Sequence, residues 1–260
     1  MKSMSKRILV TIPTYNEAFN IERLVDEILD QQTTDSVFDI IVIDDESPDG
    51  TAARVRAHEA FNQKLFLITR QEKSGRGGAV LDGFRFALKR NIYDFVLEMD
   101  GDFSHDPKEI PKLIRACESN DIVVATRYLR TSKIYGWPLR RRLFSAFANF
   151  YARTILRIPL YDYTNCYRCY KFQLLRTLDF SKIRARGYIV VSEIAYQFYL
   201  NGAKIGMIPT IFINRKRGAS NLSLSEICEA FLAVPRIYRN YTTERFQYQK
   251  QQAKLRAGDN

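Results

Sequence analysis

Through the first half of the chain, short apolar runs alternate with stretches whose apolar residues recur every three to four positions. The runs at 7–13 (RILVTIP), 38–45 (FDIIVIDD), 64–70 (KLFLITR), 93–100 (YDFVLEMD) and 121–127 (DIVVATR) have strand length and β-branched character. Between them, 20–31, 49–61, 77–90 and 107–119 carry helical spacing. Strand and helix in alternation predict right-handed βαβ units, hence a mostly parallel sheet with helices on both faces. In open sheets of this α/β class, ligands bind beyond the carboxyl ends of the strands.

Polar residues gather at those ends. The first run leads into Thr14-Tyr15-Asn16-Glu17, the second into Asp44-Asp45-Glu46-Ser47-Pro48-Asp49-Gly50-Thr51, the fourth into Asp100-Gly101-Asp102, and the fifth into Thr126-Arg127. After 127 the rhythm changes. Residues 137–158 form a Leu- and Phe-rich helical stripe interleaved with arginines, 202–218 read as a strand pair with a basic exit, and 222–241 as another amphipathic helix. The segment from Thr242 is polar, with no core-like pattern, and is expected to be partly disordered.

Composition adds an asymmetry. The 260 residues carry a formal net charge of +11, but residues 1–125 hold 16 Lys and Arg against 22 Asp and Glu, whereas 126–260 hold 24 against 7. The basic half points to an anionic partner: nucleic acid, an anionic membrane surface or a phosphorylated substrate. Four cysteines without a framework, and no apolar leader with a cleavage site, predict a reduced, cytoplasmic protein. Cys166 and Cys169 lack the further ligands of a closed zinc site. No run reaches the roughly 18 apolar residues that cross a bilayer.

The carboxylates Asp100 and Asp102 repel each other unless a cation sits between them. Hard oxygen ligands of this kind suit Mg²⁺ or Mn²⁺ held together with substrate phosphates, and Gly101 lets a ligand approach the backbone. A solvated turn is the plain alternative; the company of three other polar strand ends favours the cation. Asp44 and Asp45 can accept hydrogen bonds from a base or ribose, and Asp49 or Thr51 can cap the next helix. Gly75-Arg76-Gly77-Gly78 lacks phosphate-loop spacing and reads chiefly as a tight helix entry, with ligand contact as the lesser reading. Arg215, Lys216 and Arg217 before Gly218-Ala219-Ser220 form either a solvated loop or a basic flap over a phosphate. Arg140 to Arg142 form either a solvated face of a structural helix or, favoured by their mixture with Leu139, Leu143, Phe144 and Phe147, a helix lying in a membrane interface.

Taken in order, 12–17 (IPTYNE), 43–51 (IDDESPDGT), 99–107 (MDGDFSHDP), Arg127, 135–142 (YGWPLRRR), 187–194 (GYIVVSEI) and 212–220 (FINRKRGAS) resemble the dolichol-phosphate mannosyltransferases, family 2 glycosyltransferases of GT-A fold. The resemblance spans roughly residues 7–240. It implies metal-dependent, inverting transfer of a sugar, foremost mannose from GDP-mannose, to a polyprenyl phosphate at the cytoplasmic membrane face. Pro13, Tyr15 and Glu17 match nucleotide-contact positions, Asp44 the base contact and Asp45 a ribose contact. Asp100 and Asp102 match the metal pair, with Gly101 between them, and Ser104 stands where some members carry a Gln ligand. Arg127, Arg141, Ser145 and Arg215 match phosphate-binding positions. Asp102, Arg127 and Arg215 thereby become the expected catalytic residues. Asn221 departs from the usual Lys, Ala146-Phe147 from Arg-Gly, and Asn165-Cys166 from small residues. These departures leave open another donor, of UDP-glucose or UDP-GlcNAc type, or a glycan acceptor.

The expected organisation is a catalytic domain over 1–241, its nucleotide-sugar and metal half at 1–127 and its acceptor and membrane-facing half at 128–241, followed by a polar tail at 242–260. Without membrane hairpins it resembles the peripherally attached members, with a separate membrane protein as a candidate partner. Nucleic acid is not an expected partner, because the Tyr and Arg residues form no nucleic-acid module.

Overall fold

The computed structural model describes residues 5–71, 75–214 and 224–258. Strands β1 (Lys6–Thr14), β2 (Ser36–Asp44), β3 (Leu65–Thr69), β4 (Phe95–Glu98) and β5 (Ile122–Thr126) coincide with the five apolar runs. Helices α1 (Ile21–Leu29), α2 (Thr51–Ala57), α3 (Gly75–Arg90) and α4 (Ile110–Glu118) fill the intervals. β6 (Lys133–Tyr135), α5 (Leu139–Leu156), β7 (Arg168–Lys171), α6 (Phe172–Leu175), α7 (Val190–Leu200), β8 (Ile205–Pro209), β9 (Ile211–Ile213), α8 (Leu224–Asn240) and α9 (Thr242–Gly258) follow.

The main sheet has seven strands in the order β3-β2-β1-β4-β7-β5-β8. All pairings are parallel except those of β7, which runs antiparallel between β4 and β5. The strand pair expected at 202–218 is divided: β8 joins β5 in the main sheet, while β9 pairs with β6 in a separate two-stranded sheet. Both faces of the main sheet are buried, which explains why its strands read as continuous apolar runs. Ile8, Val10, Ile12, Ile40 and Val42 pack on one face with α1 and α4 through Leu24, Ile28 and Leu113. Leu9, Ile41 and Ile43 pack on the other with α3 and α7 through Phe84, Ile194 and Phe198.

Thr242–Gly258 is helical, which the absence of an apolar stripe did not suggest. Tertiary contacts hold α9: the Tyr248 ring lies 5.0 Å from that of Tyr199 on α7, and Glu244 accepts from Lys182 at 2.5 Å. Cys117, Cys166 and Cys169 are buried free thiols.

Candidate active site

The loops after β1 and β2 are stitched together before any ligand arrives. The backbone N–H groups of Asn16, Glu17 and Ala18 donate to Ser47 Oγ, Thr51 Oγ1 and Asp49 Oδ2, each at 2.9 Å. Asp49 Oδ1 also accepts from the Thr51 N–H at 3.0 Å, a turn that leads into α2, whose N-cap is Gly50 and neither Asp49 nor Thr51. Asn16, Glu46 and Phe103 hold left-handed φ angles of 61°, 50° and 59°, conformations that cost about 1 kcal/mol or more each and cluster at functional sites.

These loops and the turn after β4 surround a cavity of about 280 Å³, lined by Pro13, Tyr15, Glu17, Asp45, Asp100, Gly101 and Asp102, with Gly75, Arg76, Gly187 and Tyr188 closing it. Of the predicted nucleotide residues, Asp44 is placed differently. It is fully buried, Oδ1 accepting from Thr14 Oγ1 (2.9 Å) and Ser47 Oγ (2.6 Å) and Oδ2 from the Ser47 N–H (2.9 Å). Asp44 therefore braces the loop, and Asp45 is the carboxylate presented to the cavity. Arg70 Nη1 donates to Asp45 Oδ1 at 2.7 Å and to the Gly75 carbonyl at 3.2 Å, fixing Asp45 and the start of α3 together.

Asp100 and Asp102 sit at the cavity edge. The Asp100 N–H donates to His105 Nδ1 at 3.0 Å, so the ring proton lies on Nε2, which donates to Asn165 Oδ1 at 2.8 Å. Asp102 Oδ1 accepts from the Ser104 N–H at 3.0 Å. The Ser104 side chain is 2% exposed and its hydroxyl has no hydrogen-bond partner among the described residues. A Cβ at Gly101 would meet the side-chain atoms Glu17 Cγ and Thr14 Cγ2 at 3.3 Å, a close approach that would require those side chains to give by a few tenths of an ångström. Gly77 is stricter still: a Cβ there would stand 2.3 Å from the Arg186 carbonyl oxygen, which accepts from the Gly77 N–H at 2.5 Å.

Sequence reasoning missed the basic and buried partners of this edge. Arg76 Nη2 donates to Asp100 Oδ1, Arg76 Nε to Cys166 Sγ at 3.2 Å, and its Cζ lies 5.1 Å from the Tyr188 ring. Behind them Glu98 is fully buried. Burial is the strongest influence on its carboxyl and, with Asp100 nearby, pushes its pKa up to about 7 against the pull of Arg76 and Arg168. Between its ordinary value near 4.5 and about 7, the folded protein binds a proton that the unfolded chain has released. Stability from this group is complete at low pH and declines as pH rises through that window. Melting temperatures of wild type and Glu98→Gln, measured from pH 4.5 to 8, are expected to diverge in the variant's favour as pH rises and to run parallel above about pH 7.5.

The predicted phosphate residues lie on the other side of the sheet edge. Arg127 is 9% exposed, and its Nε and Nη2 donate to Asp162 Oδ2 and Oδ1 at 2.8 and 2.7 Å. Asp162 Oδ1 also accepts from the Asn165 N–H at 3.1 Å. Hydrogen bonds thus run from the Asp100 backbone through His105, Asn165 and Asp162 to Arg127. Trp137 stands between two cations, its ring 5.1 Å from Arg127 Cζ and 4.3 Å from Arg141 Cζ. Ser145 Oγ accepts from Tyr128 at 2.6 Å. Arg215, with Lys216, Arg217 and Asn221, lies outside the described residues.

A family model described as glycosyl transferase family 2 matches residues 9–179, more than half of the chain. An undecaprenyl-phosphate mannosyltransferase of Micrococcus luteus is 34% identical over 88% of this chain and 93% of its own length. A polyprenol monophosphomannose synthase of Mycolicibacterium smegmatis is 34% identical over 88% of this chain and 86% of its own length. In solved structures, glucosyl-3-phosphoglycerate synthase of Mycobacterium tuberculosis in complex with Mn²⁺, UDP and phosphoglyceric acid superposes with a TM-score of 0.61. It covers 93% of this chain and 78% of its own at 19% identity, a likeness that speaks to the GT-A fold. The family match, the two relatives and the seven-stranded sheet agree: the chain belongs to glycosyl transferase family 2 and is a glycosyltransferase.

Proposed function

We propose that the chain transfers mannose from GDP-mannose to a polyprenyl phosphate, using a divalent cation, at the cytoplasmic face of a membrane. The observation that carries this reading is the convergence of Tyr15, Glu17, Asp45, Asp100 and Asp102 on one cavity; the names of the two 34%-identical relatives support the sugar and the acceptor.

The donor set fits a hard cation. Two carboxylates stand two residues apart on a turn whose glycine packs closely against Thr14 and Glu17, and such oxygens suit Mg²⁺ or Mn²⁺ shared with a diphosphate. Asp100 and Asp102 would hold it, with Ser104 beside them. When bound, the cation acts as a Lewis acid that neutralises the diphosphate leaving group. The protein's part is to bind and align. Tyr15, Glu17 and Asp45 with Pro13 form the nucleoside wall, and Asp44 keeps that wall in shape. Arg127, Arg141, Ser145 and Arg215 are assigned to the phosphates, Arg127 acting from its buried seat on Asp162. The attacking acceptor phosphate is largely ionised near neutral pH, its second pKa being about 6, so no general base is needed. Catalysis then comes from positioning and charge stabilisation, and a single displacement inverts the sugar carbon.

Membrane association is the second half of the proposal. No helix among the described residues is long and apolar enough to cross a membrane. Instead α5 exposes Leu139 (70%), Leu143 (62%), Phe147 (57%) and Phe150 (67%), and α8 runs beside it with Phe231 5.0 Å from Tyr151 and Leu232 exposed. Exposed Arg140 and Arg142 flank this ridge, the mixture that seats a helix among anionic head groups. Introducing Leu143→Asp with Phe147→Asp is expected to lower cosedimentation with phosphatidylglycerol vesicles at least about tenfold, because each apolar side chain buried contributes about 1.5–3 kcal/mol. Unchanged cosedimentation would remove α5 from the membrane surface. The donor is tested by thermal stabilisation with GDP and UDP, each with and without Mn²⁺: GDP with Mn²⁺ is expected to stabilise most, and a preference for UDP would reassign the nucleotide.

A further inference from the structure

Arg76 lies between two carboxylates of different exposure. Its Nη2 donates to Asp100 at the cavity edge and stands 4.0 Å from Oε1 of Glu98, two residues earlier at the end of β4. Glu98 is fully buried: Oε2 accepts from Tyr170 at 3.4 Å, but Oε1 accepts no hydrogen bond among the described residues. The guanidinium is also held by Cys166 and by the face of Tyr188, and its side chain is only 16% exposed.

A divalent cation and this guanidinium would draw on the same carboxylate, and at such distances two positive centres repel strongly in a site of low dielectric. Sending Arg76 into water would forfeit its contacts with Cys166 and Tyr188. Leaving it in place unpaired would strand a buried charge. The buried oxygen of Glu98 offers a third course that requires a shift of little more than 1 Å, since a charge-assisted hydrogen bond forms at about 2.8 Å. We propose that Arg76 is a resident counter-ion that is exchanged on cation loading. It neutralises Asp100 in the cation-free protein and passes to Glu98 Oε1 when the cation takes Asp100. The inference rests on the reading of Asp100 and Asp102 as cation ligands. Arg76 is then a positioning residue that sets how readily the site accepts and releases its cation. Because Tyr188 stacks on Arg76 and lines the cavity, the exchange is also felt at the cavity wall.

The test is Mn²⁺ binding to the full chain without nucleotide, read from loss of the free Mn²⁺ electron paramagnetic resonance signal. Wild type is compared with Arg76→Gln, Glu98→Gln, the double variant and Asp102→Ala. Arg76→Gln is expected to bind Mn²⁺ about tenfold more tightly than wild type, and Glu98→Gln about tenfold more weakly, because the displaced guanidinium loses its second partner. In the Arg76→Gln background, Glu98→Gln should change affinity by no more than about threefold. Arg76→Met serves as a second neutral variant should Arg76→Gln not fold. Equal effects of Glu98→Gln in both backgrounds, or an Arg76→Gln protein that binds no more tightly than wild type, overturn the exchange. If Asp102→Ala still abolishes binding in that case, the carboxylate reading survives. If Asp102→Ala binds Mn²⁺ like wild type, that reading fails and the exchange fails with it.

Discussion

Asp102→Ala is expected to lower sugar transfer about a thousandfold while the protein still folds. In the proposed reaction the leaving diphosphate carries its charge in a cavity where Asp100 and Asp102 are the paired carboxylates. Losing one of two protein ligands removes several kcal/mol of transition-state stabilisation, and each 1.36 kcal/mol is a factor of about ten. The structural cost is small by comparison. Asp102 is half-buried, and the hydrogen bond it accepts from the Ser104 N–H contributes about 1 kcal/mol. Rate measurements at saturating Mn²⁺ paired with a melting curve separate the two effects. Wild-type turnover in Asp102→Ala would remove the carboxylate pair from the chemistry.

Asp162→Asn is expected to strike stability first. Asp162 is fully buried and holds the Arg127 guanidinium by two bonds, the Arg127 N–H at 3.0 Å and the Asn165 N–H at 3.1 Å. Burial raises its pKa, but Arg127's charge and hydrogen bonds outweigh that and leave it lowered. Removing the negative partner strands a buried cation, at a cost of about 3–5 kcal/mol. For a chain of this size that is a fall of about 10 °C in melting temperature. The loss spreads along the bonded path, because Asn165 also receives His105 and donates to the Ala125 carbonyl at 2.5 Å. A variant melting within about 2 °C of wild type would show that the pair is not a main support of this edge.

The first half was legible because a parallel sheet covered on both faces writes its strands as unbroken apolar runs and its ligand residues at their ends. All five runs became strands, and Tyr15, Glu17, Asp45, Asp100 and Asp102 line one cavity. β7 escaped because it has four residues and begins with Arg168, a charged side chain that is nevertheless fully buried. Four backbone carbonyls, those of Asp162, Tyr163, Asn165 and Val191, receive that guanidinium. α7 left no stripe because it is buried nearly all round. Asp44 and Asp45 were indistinguishable as adjacent acids; only the alternation of a strand end turns one inward and the other to the cavity. Arg70, Arg76 and Asp162 were missed for another reason. Their partners lie 24 to 35 residues away in sequence on other elements, and charge pairing at that separation leaves no local pattern.

The most direct measurement is transfer itself: purified protein, Mn²⁺, a polyprenyl phosphate and radiolabelled GDP-mannose, with the lipid phase extracted and counted. The expected result is label in an inverted mannosyl phospholipid, abolished by chelation of the cation and by Asp102→Ala. Label that stays in water with GDP-mannose and every other common nucleotide sugar would contradict a polyprenyl phosphate acceptor.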